Sequence, residues 1–252
     1  MNIYLIAIAV LPVLVLAFVV YRQDKYEKEP IGKLIRAFIF GALAILPAVL
    51  MESMLSRFVP PIPIVSGAYM GFVVAGCSEE LCKLLFLYWA IWKSQEFNEY
   101  FDGIVYGCFV ALGFACFENL GYVLGQESFS EAMVTGSVRA LLSVPGHFLF
   151  GVILGYFLSM AKFHPEKRGG YIILGLLLAM VAHGLFDWLL MVTDYLSTGL
   201  TILVYALFIM GDIGLWFCGI LLIRKQQRNS LQQKNEAEAA MVNTENEFNQ
   251  TY

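Results

Sequence analysis

The stretch AYMGFVVAGCSEELCKLLFLYWAIW, residues 68–92, has the length and apolar character of a membrane-spanning helix, yet it carries three charged side chains near its centre. A helix needs about 20 residues to cross the hydrocarbon core of a bilayer. Glu79, Glu80 and Lys83 stand where an unpaired charge costs about 2.5–3.5 kcal/mol on insertion scales. A chain that keeps such residues must pair them inside a bundle or use them around a wet cavity.

The composition places the whole chain in the membrane class. Of its 252 residues, 59% are hydrophobic and 14% are charged, and the mean hydropathy is +0.71. Soluble domains usually contain about 25% charged residues. The five cysteines lie in apolar runs without the spacing of a zinc knuckle or a disulfide framework. The sequence contains no nucleotide-binding loop and no basic patch for nucleic acid.

Seven segments are long and apolar enough to be transmembrane helices. Because backbone groups must be hydrogen-bonded within lipid, the sequence predicts an all-α, polytopic transmembrane helical bundle. Lys and Arg cluster in alternate connections, which predicts an N-terminus outside the cell and a C-terminus inside it. The predicted spans are residues 2–21, 34–55, 67–92, 103–124, 132–161, 170–193 and 198–223.

The chain divides into two regions of different composition. Residues 1–225 hold all the predicted spans, and residues 226–252 are polar. We expect the second region to be a cytoplasmic tail, disordered or loosely helical. The N-terminal apolar stretch lacks a basic leader and a small-residue cleavage site, so it is predicted to be an uncleaved span rather than a signal peptide.

The charges in residues 79–83 have a spacing that suits contact on a helix. Glu79 and Lys83 are four residues apart, and Glu80 and Lys83 are three apart. A buried ion pair that only stabilises a bundle would need one of the two carboxylates. The second carboxylate favours a functional site.

Further ionisable residues lie at membrane depth in the later spans. Glu118 is late in the fourth span, where it could also reach the outer interface. His147 follows Pro145, which opens the helix one turn earlier. The opened turn could place His147 in a functional site. Alternatively, His147 only hydrogen-bonds to the backbone carbonyl that the proline leaves free.

The sixth predicted span carries a histidine and a carboxylate one turn apart, His183 and Asp187. This spacing suits two metal ligands, or one ligand and the carboxylate that orients it, although a simple intrahelical hydrogen bond would have the same spacing. Arg139, in the outer half of the fifth span, could pair with an acid or extend to the membrane interface, and Asp212 is an intramembrane charge without a partner motif. Asp102 is interpreted as a helix N-cap.

Imidazole and carboxylate groups without thiolates suit a catalytic Zn²⁺. Zn²⁺ acidifies a water molecule, and a nearby Glu can take the proton. Such a site within lipid would hydrolyse a peptide bond there. The spacing is not that of the soluble H-E-x-x-H zinc proteases, so residues alone leave open which carboxylate binds the metal.

Several motifs together resemble those of the PrsW family of bacterial intramembrane proteases, which is more distantly similar to the CAAX-processing endopeptidases and their bacteriocin-processing relatives. EELCK at 79–83 resembles the family's E-E-x-x-K motif, and GFACFENLGY at 113–122 contains its F-x-x-x-E motif. PGH at 145–147 and HGLFD at 183–187 resemble its two histidine motifs. KYEKEP after the first span and FDGIVYG at the start of the fourth are also similar.

The resemblance covers about residues 1–223 and implies an intramembrane endopeptidase in a bacterial cell membrane. Residues 1–225 would then be a transmembrane protease domain. The implied reaction is site-1 cleavage of a single-span membrane substrate, an anti-sigma factor, which starts a cascade under envelope stress. Carried over by motif, Glu79 and Glu80 are the essential pair, and Glu118, His147 and His183 are the remaining site residues, with Asp187 supporting His183. We predict catalytic roles for Glu79, Glu80 and Lys83, and a metal site formed by Glu118, His147, His183 and Asp187.

The mechanism and the function class each have an alternative. The CAAX-processing relatives are also described as glutamate proteases, in which Glu and His activate water without metal. In that version the histidines and Asn119, the fourth predicted catalytic residue, steady the oxyanion. A proton- or ion-coupled transporter would use the same buried carboxylates, but the sequence lacks the internal repeat typical of transporters. A non-catalytic membrane adaptor is the third possibility.

Overall fold

The computed structural model describes residues 3–251, with side chains for 3–242 and 244. Residue 1, residue 2 of the predicted first span and residue 252 of the predicted tail lie outside the described residues. The described residues form nine α-helices and no β-strand, which confirms the all-α prediction. The helices are α1 (Ile3–Gln23), α2 (Ile31–Leu55), α3 (Pro63–Tyr69), α4 (Ser78–Ile91), α5 (Asp102–Leu124), α6 (Phe129–Leu141), α7 (Ser143–Phe163), α8 (Arg168–Met191) and α9 (Thr198–Thr251).

Six helical stretches of the described chain are long and apolar enough to cross a membrane. They correspond to six of the seven predicted spans and confirm a polytopic transmembrane bundle. The remaining predicted span, 67–92, falls on a helical run over 63–91 that carries three central charges and is not among the six. It stays a prediction that this run crosses the membrane. The side of the membrane on which each terminus lies also stays a prediction.

Helices α5 and α7 form the centre of the bundle, and most of their side chains are buried. Their backbones approach closely through two pairs of glycines, Gly103 and Gly107 on α5 and Gly151 and Gly155 on α7. An added Cβ at Gly107 would lie 2.5 Å from the carbonyl oxygen of Gly151. Small residues at a crossing let helices pack tightly, which drives their association in lipid. This contact fixes two helices that carry predicted site residues.

Helix α9 continues from the last predicted span through the segment predicted to be a tail. Gln226 Nε2 donates a hydrogen bond to the carbonyl oxygen of Tyr156 at 3.3 Å. The Ser230 hydroxyl accepts one from the backbone N–H of Phe101 at 2.9 Å. Gln226 and Ser230 are fully buried. The predicted domain boundary therefore falls within a continuous, packed helix, and a separate tail stays a prediction.

Asp102 does not cap α5 as the sequence predicts. It is the first residue of that helix, and its Oδ2 accepts hydrogen bonds from the backbone N–H groups of Asn98 and Glu99, at 3.0 Å and 2.6 Å. The carboxylate thus stabilises the turn that precedes the helix, where short polar side chains also bind free N–H groups.

The loop between α1 and α2 holds a buried carboxyl group, Glu29. The Tyr106 hydroxyl donates a hydrogen bond to it, and the Glu29 N–H donates to Asp24 Oδ2 at 3.0 Å. Burial raises the pKa of Glu29 from 4.5 to about 7, and the hydrogen bond from Tyr106 offsets only part of this rise. Between these pH values the folded protein keeps a proton that the unfolded chain releases, so stability falls as the pH rises through this window.

Glu29→Gln is expected to flatten that pH dependence, because a neutral amide has no proton to lose. Thermal unfolding in detergent between pH 4.5 and 8 measures it. Unfolding temperatures of the parent should fall more steeply across the window than those of the variant. Glu27→Gln, at an exposed position in the same loop, is the matched control and should run parallel to the parent. Equal slopes for Glu29→Gln and the parent would contradict the prediction.

Candidate active site

The three charges at the centre of the third predicted span meet in the interior of the bundle. Glu79, Glu80 and Lys83 are all buried. Lys83 Nζ lies 3.0 Å from Glu79 Oε2 and 2.8 Å from Glu80 Oε1. The sequence spacing predicts that Lys83 can contact Glu79 or Glu80, and in the structure it contacts both. It also lies 4.2 Å from the centre of the Phe114 ring.

A π-helical segment, Met70–Cys77, leads into these residues. Such wider turns are rare and are often found at functional sites. The segment lies close to α8: an added Cβ at Gly71 would be 2.8 Å from the Gly184 carbonyl oxygen, and one at Gly76 would be 3.0 Å from that of Met180. This close packing brings the start of α4 against the helix that carries His183.

The fifth predicted span is two helices rather than one, because the helix is interrupted at Leu142, three residues before Pro145. The break agrees with the predicted opening one turn before the proline. It places His147 in the second turn of α7, buried in the bundle. His147 Nδ1 is 2.9 Å from Lys83 Nζ, and its Nε2 is 2.8 Å from Glu118 Oε2.

The second histidine enters the same centre from α8. His183 Nδ1 lies 2.8 Å from Glu80 Oε1 and 4.0 Å from Glu79 Oε2. Its Nε2 lies 3.4 Å from Asp187 Oδ2, across the predicted helical turn. The ring of Phe150 stacks on the imidazole at 4.8 Å between centroids, which holds its orientation.

Four buried residues together offer one donor atom each within 4.8 Å of one another: Glu79, Glu80, His147 and His183. The two histidines were predicted as metal ligands. The two other predicted ligands, Glu118 and Asp187, are outside this group, on the far side of the imidazole rings. Each contacts the Nε2 of one histidine, which leaves the Nδ1 of each ring facing the Glu79 and Glu80 carboxylates.

Glu118 is held by a polar network that the sequence does not reveal. Arg139 Nη2 lies 2.7 Å from Glu118 Oε2, and Arg139 Nε donates to Asn119 Oδ1 at 2.9 Å. Asn119 Nδ2 donates to the carbonyl oxygen of Ala9 at 2.9 Å. Both ends of the buried Asn119 amide are therefore engaged in joining α1, α5 and α6.

A cavity of about 680 Å³ adjoins the four-residue centre. Glu79, His147 and His183 reach it, whereas Glu80 is not among its lining residues. Glu52 on α2 also lines the cavity, although the sequence motifs do not point to it. Its position near the end of an apolar run is the signal that could have identified it. The other polar lining residues are Glu118, Tyr122, Arg139, Ser143 and Asp187.

Comparison with known proteins agrees with this geometry. Residues 29–211 match the model of a family described as PrsW family intramembrane metalloprotease. The chain belongs to this family. The match spans every residue of the buried centre and confirms the resemblance inferred from the motifs.

Curated relatives in the PrsW family cover most of the chain. Protease PrsW of Clostridioides difficile (strain 630) is 36% identical over 209 residues, 82% of this chain and 87% of the relative. Protease PrsW of Geobacillus kaustophilus (strain HTA426) is 36% identical over 190 residues, 75% of this chain and 81% of the relative. Protease PrsW of Bacillus subtilis (strain 168) is 32% identical over 189 residues, 74% of this chain and 82% of the relative. No solved structure matches the chain.

The PrsW-family assignment and the site together define the activity. The protein is an intramembrane protease, and it is a multi-pass protein of a bacterial membrane. Its family is one of metalloproteases, and its buried Glu and His residues form a group able to bind a metal ion. The predicted enzyme class is therefore confirmed.

Proposed function

We propose that this PrsW-family protein is a zinc-dependent endopeptidase that makes the site-1 cut in a single-span anti-sigma factor. The observation that carries the proposal is the buried group of two carboxylates and two imidazoles beside a cavity of about 680 Å³. A peptide bond admitted to this cavity meets acidic and imidazole groups shielded from lipid. The family resemblance supports the anti-sigma factor as substrate.

The donor set fits Zn²⁺ held by His147, His183 and Glu80. Two histidines and one glutamate are a ligand set of catalytic zinc sites, which leave one position open. Glu80 Oε2 is buried and finds no hydrogen-bond partner among the described residues, so it is free to bind a cation. When bound, Zn²⁺ would acidify water and polarise the scissile carbonyl. In this proposal Glu80 replaces Glu118 and Asp187 as the carboxylate ligand.

Glu79 is the general base of the proposed mechanism. Its Oε2 lies 4.0 Å from the Nδ1 atoms of both His147 and His183, and it lines the cavity where Glu80 does not. It can therefore take a proton from water beside the substrate and pass it to the leaving amine. Lys83 contacts both carboxylates and keeps two neighbouring negative charges compatible with burial.

Glu118 and Asp187 act as positioning residues. A carboxylate that accepts a hydrogen bond from one ring nitrogen fixes the tautomer and raises the basicity of the other nitrogen. Arg139 in turn holds Glu118, at 2.7 Å. Asn119 positions Arg139 rather than the oxyanion, because its amide is fully buried, is bonded to Arg139 and Ala9, and does not line the cavity.

Asp187→Asn is expected to weaken zinc binding by about tenfold to a hundredfold, the range for loss of such an orienting carboxylate. Competition with a fluorescent chelator measures the affinity. Asp194→Asn, at an exposed position just beyond the end of α8, is the matched control and should bind zinc as the parent does. If Asp187→Asn binds zinc with the affinity of the parent, Asp187 does not orient His183 for metal binding.

The experiment that tests the proposed function is cleavage in reconstituted vesicles. The purified protein is combined with a single-span anti-sigma factor, and the products are identified by mass spectrometry before and after chelation and after zinc is restored. We expect one cut, lost on chelation and regained with zinc. Cleavage that survives complete metal removal would favour the metal-free glutamate mechanism. Gradient-driven flux without cleavage would favour a transporter.

A further inference from the structure

A second cavity lies between α7, α8 and α9, in addition to the one at the active site. Its volume is about 580 Å³. Ile153 and Phe157 of α7 line it, and Val181 and Leu185 of α8 and Leu221 of α9 are exposed at its edges. We call this cavity the α8–α9 groove. Its exposed apolar edges face outward from the bundle, toward lipid.

One charged side chain, Asp212, stands among the described residues that line the α8–α9 groove. Its Oδ1 is buried and has no hydrogen-bond partner in the described part of the chain. Asp212 is fourteen residues after Thr198 and twelve before Arg224, about 21 Å and 18 Å along the helix at 1.5 Å per residue. It therefore lies far from either end of the apolar part of α9. Lipid headgroups at the membrane surface do not reach that depth.

An unpartnered carboxylate at this depth calls for a donor that also lies within the membrane, because water and headgroups are absent there. A transmembrane helix with a hydrogen-bond donor near its midpoint supplies one. Gly211, next to Asp212, also lines the groove, and an added Cβ there would meet nothing within 4 Å. Small residues of this kind let a second helix approach closely.

The α8–α9 groove and the active-site cavity share a wall. Phe186 lines both. Its ring lies 5.0 Å from that of Phe208 in the groove and 6.3 Å from that of Phe150, which stacks on His183. A helix in the groove would therefore be separated from the active-site cavity by the ring of Phe186, and from His183 by the rings of Phe186 and Phe150.

We propose that the α8–α9 groove docks the transmembrane helix of the substrate, with a donor side chain of that helix bound to Asp212. Phe186 separates the docked helix from the active-site cavity. The inference rests on the proposed function, in which the substrate is a single-span protein. It adds a binding surface outside the catalytic centre that selects substrates with a polar residue near mid-membrane.

The test measures binding separately from cleavage, in the full-length Glu79→Gln protein reconstituted in phosphatidylcholine vesicles. The probes are two dansyl-labelled 24-residue Leu/Ala transmembrane peptides, one with Asn at its centre and one with Leu. Energy transfer from the native tryptophans reports binding. We expect the Asn peptide to bind about threefold to tenfold more tightly, the range of one interhelical hydrogen bond. Asp212→Leu should remove this preference.

Gly211→Phe should weaken binding of both peptides at least tenfold by filling the groove. Gly214→Phe is the matched control. It adds the same ring on the same helix, where an added Cβ also meets nothing within 4 Å, but Gly214 does not line the groove. It should bind both peptides as the parent does. Equal binding by both glycine variants, or no binding by the parent, would overturn the proposal.

Two further results separate this inference from the proposed function. If the wild-type protein cuts a single-span substrate and Gly211→Phe leaves the rate unchanged, the groove proposal fails while the protease stands. If binding depends on Gly211 and Asp212 in a protein that cuts nothing, the groove proposal stands and the function fails. A loss of self-association in Gly211→Phe with unchanged peptide binding would make the groove an interface between copies and overturn the inference.

Discussion

Glu79→Gln is expected to reduce turnover by about a hundredfold to ten-thousandfold, the usual contribution of a general base, while the protein stays folded and metal-loaded. Glutamine preserves the size of the side chain but cannot accept a proton. Initial rates on a single-span substrate in vesicles measure the loss. Glu127→Gln, which replaces an exposed carboxylate in the loop after α5, is the control and should retain parental rates.

Zinc content distinguishes the base from the ligands. Glu79→Gln should keep its zinc, whereas Glu80→Gln and His183→Ala should lose most of it together with activity. All three variants should remain folded, as judged by size-exclusion chromatography. Full turnover by Glu79→Gln, or loss of zinc from Glu79→Gln alone, would show that the roles of the two carboxylates are assigned wrongly.

Gly107→Val is expected to destabilise the bundle by about 3 kcal/mol or more, at the upper end of overpacking effects. An added Cβ at Gly107 would lie 2.5 Å from the Gly151 carbonyl oxygen and 2.9 Å from the Gly155 Cα. Both are backbone atoms, so relief requires α5 and α7 to move apart. Unfolding in a detergent titration, followed by circular dichroism, measures the change.

Gly121→Val is the matched control for that substitution, since it lies on the same helix and an added Cβ there would meet nothing within 4 Å. It should unfold at nearly the parental detergent concentration. A parental midpoint for Gly107→Val would contradict the close α5–α7 packing. Because that packing positions His147 relative to Glu118, the variant should also lose activity wherever it remains folded.

The sequence predicts the helical architecture well because the membrane imposes a strong constraint. An apolar run of about 20 residues in lipid must form a helix, because its backbone groups have to be hydrogen-bonded within the segment. Pro145 predicts that the helix opens near Leu142. It does not predict that the span divides into two separate helices there. The π-helical turns of Met70–Cys77 could not be predicted from the composition. A π-helix differs from an α-helix only in that each hydrogen bond spans one more residue.

The site residues could be recognised from the sequence because charged side chains are rare in membrane-spanning helices and usually serve a function there. Their partners could not, because partners come from other helices. Which ring nitrogen of His147 meets Glu118, and which ring nitrogen of His183 meets Glu80, depends on the rotation of α7 and α8 in the bundle. The sequence leaves the role of Arg139 open for the same reason and predicts an oxyanion role for Asn119, and the contact between the two becomes visible only when α6 is placed against α5.

Zinc stoichiometry of the purified protein tests most directly whether the buried Glu and His residues form a metal-dependent peptidase centre. Mass spectrometry of the metal content should give about one zinc per chain in the parent, as in single-metal catalytic sites, and almost none in the His147→Ala, His183→Ala double variant. A parent protein that carries no metal and still cuts its substrate would contradict the account.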